Sequence, residues 1–184
     1  MSKSAQDIPH QSRLMPQQSV MLIGLMGSGK TVLGRMLADA MGRQFVDTDK
    51  LIEEESGLRI TDIFELYGEA KFRELERRII TKLTQQTDLV ISVGGGAFCQ
   101  ADIRQAAKGT VLSIWLSARP QTLLSRMDNL SSRPLLAGDD PLGTLEHLHD
   151  TRKKDYEQAD LIVDTDGLSL RQSLDKVLNS LNEE

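Results

Sequence analysis

Residues 24–31 read Gly-Leu-Met-Gly-Ser-Gly-Lys-Thr and match the pattern G-x-x-x-x-G-K-[ST] at every fixed position. An apolar run at residues 20–23 comes directly before this segment, and a helical pattern comes directly after it. A strand, a glycine-rich turn and a helix in this order form a loop whose backbone N–H groups and helix start bind phosphate. A glycine-rich turn can also arise by chance, but these flanks favour a nucleoside triphosphate site.

The residue types at the end of this segment indicate what each contributes. Lys30 is predicted to reach the β- and γ-phosphates, and Thr31 is predicted to offer its hydroxyl to Mg²⁺. The backbone of the preceding loop would surround the phosphates. The predicted ATP site in this part of the chain therefore comprises Gly27, Ser28, Gly29, Lys30, Thr31 and Val32.

Length and charge limit the classes of protein that the chain can belong to. Its 184 residues are enough for one domain with a substantial core. Lys and Arg number 22 against 27 Asp and Glu, for a net charge of −5, and no long basic run is present. Nucleic acid is therefore not a predicted partner, whereas a local basic pocket for a small anion remains open.

Cysteine content and hydropathy limit the cellular locations that the sequence is compatible with. The one cysteine, Cys99, excludes an internal disulfide framework and a cysteine-rich zinc site, and its neighbour Phe98 favours a packed thiol over a nucleophile. No run of about 18 apolar residues and no apolar segment near residue 1 is present, so neither a membrane span nor a secretory signal is expected. The cytoplasm is the expected location, and a monomer the expected state.

Apolar runs alternate with amphipathic stretches along most of the chain. Such alternation is typical of β-α-β crossovers, so the predicted fold class is α/β, with a central parallel sheet of about five strands and helices on both faces. Residues 1–18 are polar and are predicted to be a disordered arm, and residues 19–184 one domain. The predicted strands are about 19–23, 44–47, 88–93, 110–116 and 160–164.

Two helices and one irregular segment stand out. Phe72, Leu75, Ile79 and Leu83 recur at the spacing of one buried face and predict a helix over about 69–86. A second helix follows Lys30 and is predicted to stop at Gly42. Residues 128–141 are rich in Pro, Ser, Asn, Asp and Gly, which predicts a mobile lid.

Carboxylates follow the strand at 44–47 as Asp47-Thr48-Asp49. Ligands of doubly wound sheets bind beyond the carboxyl ends of the strands, so this pair is expected on the phosphate side. We predict that Asp49 receives the proton of an acceptor hydroxyl and that Asp47 serves Mg²⁺, directly or through a water. The alternative is that Asp47 or Asp49 only caps a helix that begins near Lys50.

The strand at 88–93 ends in Gly94, Gly95 and Gly96. Three glycines can serve a tight turn with positive φ, but at this edge of the sheet they favour a ligand close to the bare backbone. Arg73, Arg133 and Arg152 could supply positive charge, although each taken alone is typical of a solvated surface residue. Arg133, within the predicted lid, could close over a transferring phosphate.

These segments together resemble shikimate kinases. The family pattern is carried by the phosphate loop, by Asp47-Thr48-Asp49, by Gly68-Glu69 with Phe72-Arg73 and Glu76, by the three glycines, and by Arg133-Pro134-Leu135-Leu136, in that order over about 19–180. The resemblance implies transfer of the γ-phosphate of ATP to the 3-hydroxyl of shikimate, in the pathway to the aromatic amino acids. It implies a three-layer P-loop kinase fold with a mobile lid, and Mg²⁺ as cofactor.

The resemblance also implies roles for single residues. Shikimate would be held by Asp49, by the three glycines and by Arg73 and Arg152, with the two arginines facing its carboxylate. Arg133 would be the lid arginine beside the phosphates, catalytic together with Asp49 and Lys30, and Arg126 would lie against the adenine. One departure concerns Arg152: family members often have Pro-Leu-Tyr shortly after it, whereas this chain has Lys154-Asp155-Tyr156.

Two other classes of function remain as alternatives. A kinase of the same architecture acting on gluconate or a nucleoside monophosphate would keep the phosphate loop but would not need Arg73 with the three glycines. A nucleotide-binding regulator without catalysis would be expected to lose Lys30, Asp49 or the lid arginine, and the sequence retains all three.

Overall fold

The computed structural model describes residues 14–127, 136 and 138–182. Five parallel strands form one sheet in the order β2-β3-β1-β4-β5. This confirms the predicted α/β class, and each strand lies within one residue of its predicted bounds. The strands are β1 (Ser19–Ile23), β2 (Gln44–Asp47), β3 (Leu89–Ser92), β4 (Val111–Ser117) and β5 (Leu161–Asp164).

Helices cover both faces of this sheet, as predicted. Alternate residues of each central strand point to opposite faces, and two hydrophobic cores result. Leu33 and Val177 belong to one core with α1 and α7, and Ile52 and Ile79 belong to the other with α2 and α3. The helices are α1 (Lys30–Met41), α2 (Thr48–Ser56), α3 (Ile60–Leu83), α4 (Ala101–Ala107), α5 (Pro120–Ser125), α6 (Pro141–Tyr156) and α7 (Leu170–Asn182), with a short 3-10 helix at Ala97–Cys99.

The helix predicted over 69–86 is the second half of α3. Gly68 has φ 78° and ψ 171°, which are not helical, and it separates this half from a first half beginning at Ile60. The first half escapes the helical pattern because Leu66 and Tyr67 are exposed although they are large and apolar. Only the part after Gly68 buries one regular face.

The last residues of the predicted arm contact the rest of the protein. Residues 1–13 lie outside the described residues, but residues 14–18 contact the body of the protein. Gln17 O accepts a hydrogen bond from the backbone of Asp88 at 2.9 Å, Gln18 O accepts one from the Arg43 guanidinium, and Leu14 packs against the α1–α7 core. These five residues belong to the fold, because backbone groups pair there at the edge of β3.

Strand order brings the predicted functional segments together. β2, β3 and β1 are neighbours, so the carboxyl ends of these three strands lie side by side. These ends lead into Asp47, into the three glycines and into the phosphate loop. Ligands of open α/β sheets bind at such an edge. Across the part of the chain that the structure describes, a helix with the length and apolar character to cross a membrane is absent.

Gly34 sets how closely α1 approaches the sheet. A Cβ atom at this position would lie 2.6 Å from Cε2 of Phe45 and 3.2 Å from Cδ1 of Leu22. We expect Gly34→Ala to lower the free energy of unfolding by about 1–3 kcal/mol, because the overlap outweighs the helix propensity of alanine. Urea unfolding would measure this. Phe45→Leu should relieve most of the loss, and equal losses in both backgrounds would contradict the explanation.

Candidate active site

One cleft of about 870 Å³ opens at the carboxyl ends of β1, β2 and β3. Arg133 lies outside the described residues, and every other residue predicted to bind ATP, acceptor or metal lines this cleft. These residues are Gly27, Ser28, Gly29, Lys30, Thr31, Val32, Asp47, Asp49, Arg73, Gly94, Gly95, Gly96, Arg126 and Arg152.

The phosphate loop has the backbone that its glycines predict. Gly29 has φ 86° and caps α1, while Gly27 has φ 78°. A Cβ at Gly27 would lie 2.5 Å from the carbonyl oxygen of Leu123, so both the conformation and the space require glycine there. Nζ of Lys30 lies across the loop and donates to the carbonyl oxygens of Gly24 at 2.8 Å and Leu25 at 2.9 Å. The lysine charge is therefore held at the loop, where phosphates bind.

Thr31 and Asp47 meet at the start of α1. The Thr31 hydroxyl donates to Oδ2 of Asp47 at 3.0 Å. The other carboxylate oxygen of Asp47 accepts from the backbone N–H of Asp49 at 3.1 Å and of Lys50 at 3.5 Å, which makes Asp47 the N-cap of α2. Asp47 therefore caps α2 through one oxygen, and its other oxygen stays beside Thr31.

Asp49 is not the cap of α2. It lies in the first turn, and its Oδ1 is buried without a hydrogen-bond partner. Burial raises the pKa of Asp49 above its ordinary value, the charge of Asp47 raises it further, and Lys30 opposes the shift. A buried acceptor in a cleft with no partner is available to a donor from a bound molecule.

The three glycines are not required by a turn with positive φ. None of the three is among the glycines with positive φ. Instead, a Cβ at Gly94 would lie 3.0 Å from Oδ1 of Asp49, one at Gly95 would lie 3.2 Å from Nη1 of Arg152, and one at Gly96 would lie 2.8 Å from Nη2 of Arg73. Their bare backbone lets the charged side chains of the site come close.

Arg73 is fixed by carboxylates of its own helix. Its Nη1 donates to Oε2 of Glu76 at 2.7 Å, and its Nη2 donates to Oε1 of Glu69 at 3.2 Å. Its Nε also donates to Oε1 of Glu69, at 3.3 Å, so all three nitrogens are engaged and the guanidinium is held over Gly96. The positive charge of Arg73 is therefore already in place before a ligand binds.

Glu76 is a site residue that the sequence reasoning left without a role. It is fully buried, it accepts a second hydrogen bond from Nε2 of Gln100 at 2.8 Å, and its Oε1 has no partner. Burial raises its pKa, and the charge of Arg73 opposes the shift. The signal in the sequence is an acidic residue on the buried face of α3, between Phe72 and Ile79.

Arg152 reaches the glycines from α6, and Lys154 and Asp155 follow it on the same helix. Tyr156, one turn later on α6, is buried, and its hydroxyl donates to the carbonyl oxygen of Gly95. Burial raises the pKa of Tyr156 far above the physiological range, and the neighbouring Arg152 guanidinium opposes the shift. Tyr156 thus joins α6 to the glycines while Arg152 lies over Gly95.

Arg126 is held at the cleft by the segment that follows β5. Its Nη1 donates to the Thr165 hydroxyl at 3.1 Å, and its Nη2 donates to the carbonyl oxygens of Thr165 at 2.6 Å and Leu168 at 3.4 Å. These bonds use the edge of the guanidinium and leave its flat face. A flat guanidinium face stacks on aromatic rings, in keeping with the predicted place against adenine.

The predicted lid, 128–141, is described only in part. Residues 128–135, which include Arg133, and residue 137 lie outside the described residues. Leu136 is buried in the core with α2 and α3. Asp140 caps α6 by accepting from the backbone N–H of Gly143 at 2.8 Å, so the last residues of the segment belong to the start of that helix.

Cations and a carboxylate lie close together in this cleft. Lys30 belongs to the phosphate loop, Arg73 and Arg152 lie over Gly96 and Gly95, and Asp49 is near enough to Lys30 and Arg73 for both charges to act on its pKa. Such an arrangement can hold a polyphosphate and a small anion together, with a carboxylate for a proton. Within the described ranges, His, Cys, Asp and Glu side chains do not gather in groups of three or more that could hold a metal.

Known proteins match this chain along most of its length. The family model described as shikimate kinase matches residues 26–182. The shikimate kinase of Symbiobacterium thermophilum is 42% identical over 168 residues, covering 90% of this chain and 97% of that protein.

Solved structures agree with the sequence relatives. The shikimate kinase of Acinetobacter baumannii in complex with shikimate superposes with a TM-score of 0.83 at 36% identity, covering 88% of this chain and 91% of the other. A gluconokinase of Sinorhizobium meliloti has a TM-score of 0.57 at 20% identity, covering 90% of this chain and 91% of its own, which is a likeness of fold. The match to the family model and the identity to its members show that this chain belongs to the shikimate kinase family.

Proposed function

We propose that the cleft transfers the γ-phosphate of ATP to the 3-hydroxyl of shikimate, with Asp49 as the group that receives the hydroxyl proton. The chain is an ATP-dependent kinase by family. Phosphoryl transfer needs little covalent help from the protein, but it needs the acceptor oxygen in line with the γ-phosphorus. The residues around Asp49 suit that requirement.

One observation carries the role of Asp49: Oδ1 is buried without a partner at the bare backbone of Gly94. An acceptor hydroxyl that donates to this oxygen would satisfy it. The charge of Lys30 favours the ionised carboxylate, which is the form that can accept a proton. Asp49 therefore has both the position and the unpaired acceptor oxygen that a general base needs.

The carboxylate of shikimate would be held by Arg73 and Arg152. Their nitrogens lie over neighbouring glycines, Gly96 and Gly95, so the two cations converge on one region of the cleft. Arginine and carboxylate form short, directional hydrogen bonds. Glu76 supports this arrangement because its Oε2 accepts a hydrogen bond from Nη1 of Arg73 at 2.7 Å. Its Oε1 is left to accept a hydrogen bond from a hydroxyl of shikimate.

The residues at the phosphate loop fit Mg²⁺ held with ATP. The hydroxyl of Thr31 and the carboxylate of Asp47 are hard oxygen donors 3.0 Å apart. Mg²⁺ is commonly held by one or two such protein ligands together with phosphate oxygens and waters. When bound, it neutralises charge on the β- and γ-phosphates. We assign Thr31 and Asp47 to it, with Asp47 directly or through a water.

The remaining assignments concern ATP itself. Lys30 and the loop residues 27–32 would bind the phosphates, and the flat face of Arg126 would lie against the adenine. Arg133 is assigned to the transferring phosphate, as the sequence predicts. A monomer is the proposed state, as the sequence predicts, and the cytoplasm is the proposed location of this ATP-dependent kinase.

Release of ADP from Mg-ATP tests the proposed reaction. Shikimate should stimulate turnover of the purified protein, and gluconate and nucleoside monophosphates should not. Stimulation by another acceptor would keep the kinase mechanism and discard the assignments of Arg73 and Arg152. Tight ATP binding with no stimulation by any acceptor would favour a nucleotide-binding regulator.

Asp49→Asn separates catalysis from stability. We expect kcat to fall by roughly 10²-fold or more while ATP still binds, because the amide cannot take the proton. The raised pKa of Asp49 means that folding favours its protonated form, so the ionised form costs stability as pH rises through the folded-state pKa. The neutral amide should therefore raise Tm at pH 7, by roughly 2–4 °C for each 1 kcal/mol removed.

Calorimetry across pH checks this second effect. The Tm advantage of Asp49→Asn should shrink at acid pH, where Asp49 is protonated in both the folded and the unfolded chain. A constant advantage at all pH values would remove ionisation as its cause, and unchanged kcat would remove Asp49 from the reaction.

Arg73→Ala should weaken shikimate binding by about 2–5 kcal/mol, the scale for truncating one partner of a desolvated charge pair. The KM for ATP should change little. Arg73→Lys is the matched control, because it keeps a cation beside the buried Glu76 and loses only the two-pronged geometry. Normal shikimate affinity with a raised requirement for ATP would contradict the assignment.

Asp47→Asn tests the metal assignment without unmaking the helix. Asparagine is as good an N-cap as aspartate, so α2 should keep its start and Tm should change little. Loss of the charge beside Thr31 should raise the Mg²⁺ concentration needed for half-maximal activity. Titration of Mg²⁺ at fixed ATP measures this, and an unchanged midpoint would leave Asp47 as a cap alone.

A further inference from the structure

An ion pair behind the glycines links three separate elements. Nη1 of Arg104, on α4, lies 3.1 Å from Oδ1 of Asp155, on α6. The same nitrogen donates to the carbonyl oxygen of Phe98, in the 3-10 helix that follows the glycines, at 2.7 Å. The side chains of Arg104 and Asp155 are only 19% and 28% exposed. Arg104 therefore joins α6 to the turn at residues 94–99, which contains the three glycines.

The pair acts on the same turn as Tyr156, the next residue along α6. Tyr156 holds the carbonyl oxygen of Gly95 directly, whereas Asp155 holds that of Phe98 through Arg104. Successive residues of α6 thus hold both ends of the segment that contains Gly95 and Gly96. Arg152, one turn earlier on the same helix, lies over Gly95. Movement of α6 relative to the turn would move Arg152 from this place.

The thiol of Cys99 is surrounded by these groups. Burial raises the pKa of Cys99, the charge of Arg152 opposes the shift, and Asp155 accepts from the thiol and raises it further. Arg152, Asp155 and Arg104 therefore all lie near this half-buried thiol.

We propose that the Arg104–Asp155 pair is a positioning element of the acceptor site, which keeps Arg152 and the glycine backbone at the spacing that the acceptor carboxylate needs. The inference rests on the proposed function, because the role of Arg152 toward that carboxylate is part of it. When Asp155 is replaced, Arg104 keeps its hydrogen bond to Phe98 and water still reaches its side chain, so little stability should be lost. The effect of this pair is therefore expected in acceptor binding and not in Tm.

Steady-state kinetics of Asp155→Asn and Asp155→Leu test the inference. The KM for shikimate should rise about three- to tenfold in both, the scale of coupling between residues in contact, while the KM for ATP and Tm stay near wild type. Asp155→Glu, which keeps the charge, should recover most of the affinity. In Arg104→Met, adding Asp155→Leu should produce little further change, because the pair is already absent.

A matched control pair lies away from the glycines. Arg78 and Glu55 join α3 to α2 with 3.3 Å between Nη2 and Oε2, and Arg78→Met should leave the KM for shikimate unchanged. An unchanged KM for shikimate in both Asp155 variants would overturn the inference. So would a parallel rise in the KM values for shikimate and ATP with a lowered Tm, because that result indicates a structural role only.

Arg152→Lys distinguishes this failure from failure of the proposed function. If Arg152→Lys raises the KM for shikimate and the Asp155 variants do not, only the positioning role is lost. If Arg152→Lys also leaves that KM unchanged, the assignment of Arg152 to the acceptor is itself wrong. If Arg152→Lys and the Asp155 variants all raise the KM for shikimate and leave the KM for ATP unchanged, both the assignment of Arg152 and the positioning role are supported.

Discussion

The cleft depends on three residues that carry no side chain. Because Gly94, Gly95 and Gly96 lack Cβ, two carboxylates and two guanidinium groups approach a single stretch of backbone to van der Waals distance. A methyl group at Gly94 or Gly96 would meet charged atoms within 3.0 Å. The charges come from α2, α3 and α6, so these helices can converge only where the strand β3 ends in bare backbone.

This convergence has a cost in stability. Asp49 and Glu76 each keep a buried oxygen without a partner, and burial raises the pKa of both. Buried acceptors of this kind are unfavourable until a donor arrives. Arg73 offsets part of the cost at Glu76. The protein thus holds its site in a state that a bound acceptor would stabilise, as is common where function and stability compete.

Sequence patterns predicted the features that depend on neighbours in the chain. Strand positions follow from apolar runs, and the phosphate loop follows from glycines with positive φ at fixed spacing. The roles of Glu76 and Arg104 depend on helices that are distant in sequence and meet only in the fold. No periodicity or motif reports such meetings. The first half of α3 escaped prediction for a related reason, since its exposed Leu66 and Tyr67 break the amphipathic pattern.

The phosphate loop and the three glycines, both in the cleft, differ in how much they indicate about function. A phosphate loop serves many acceptors, so Lys30 and Thr31 identify the donor and say little about what is phosphorylated. In the proposed function, the acceptor is selected where Arg73 and Arg152 lie over the glycines. Arg73 is held by its own helix, whereas Arg152 depends on how α6 docks against the turn. Selectivity for the acceptor is therefore expected to be sensitive to changes in packing between α4, α6 and the turn, at residues that touch no substrate.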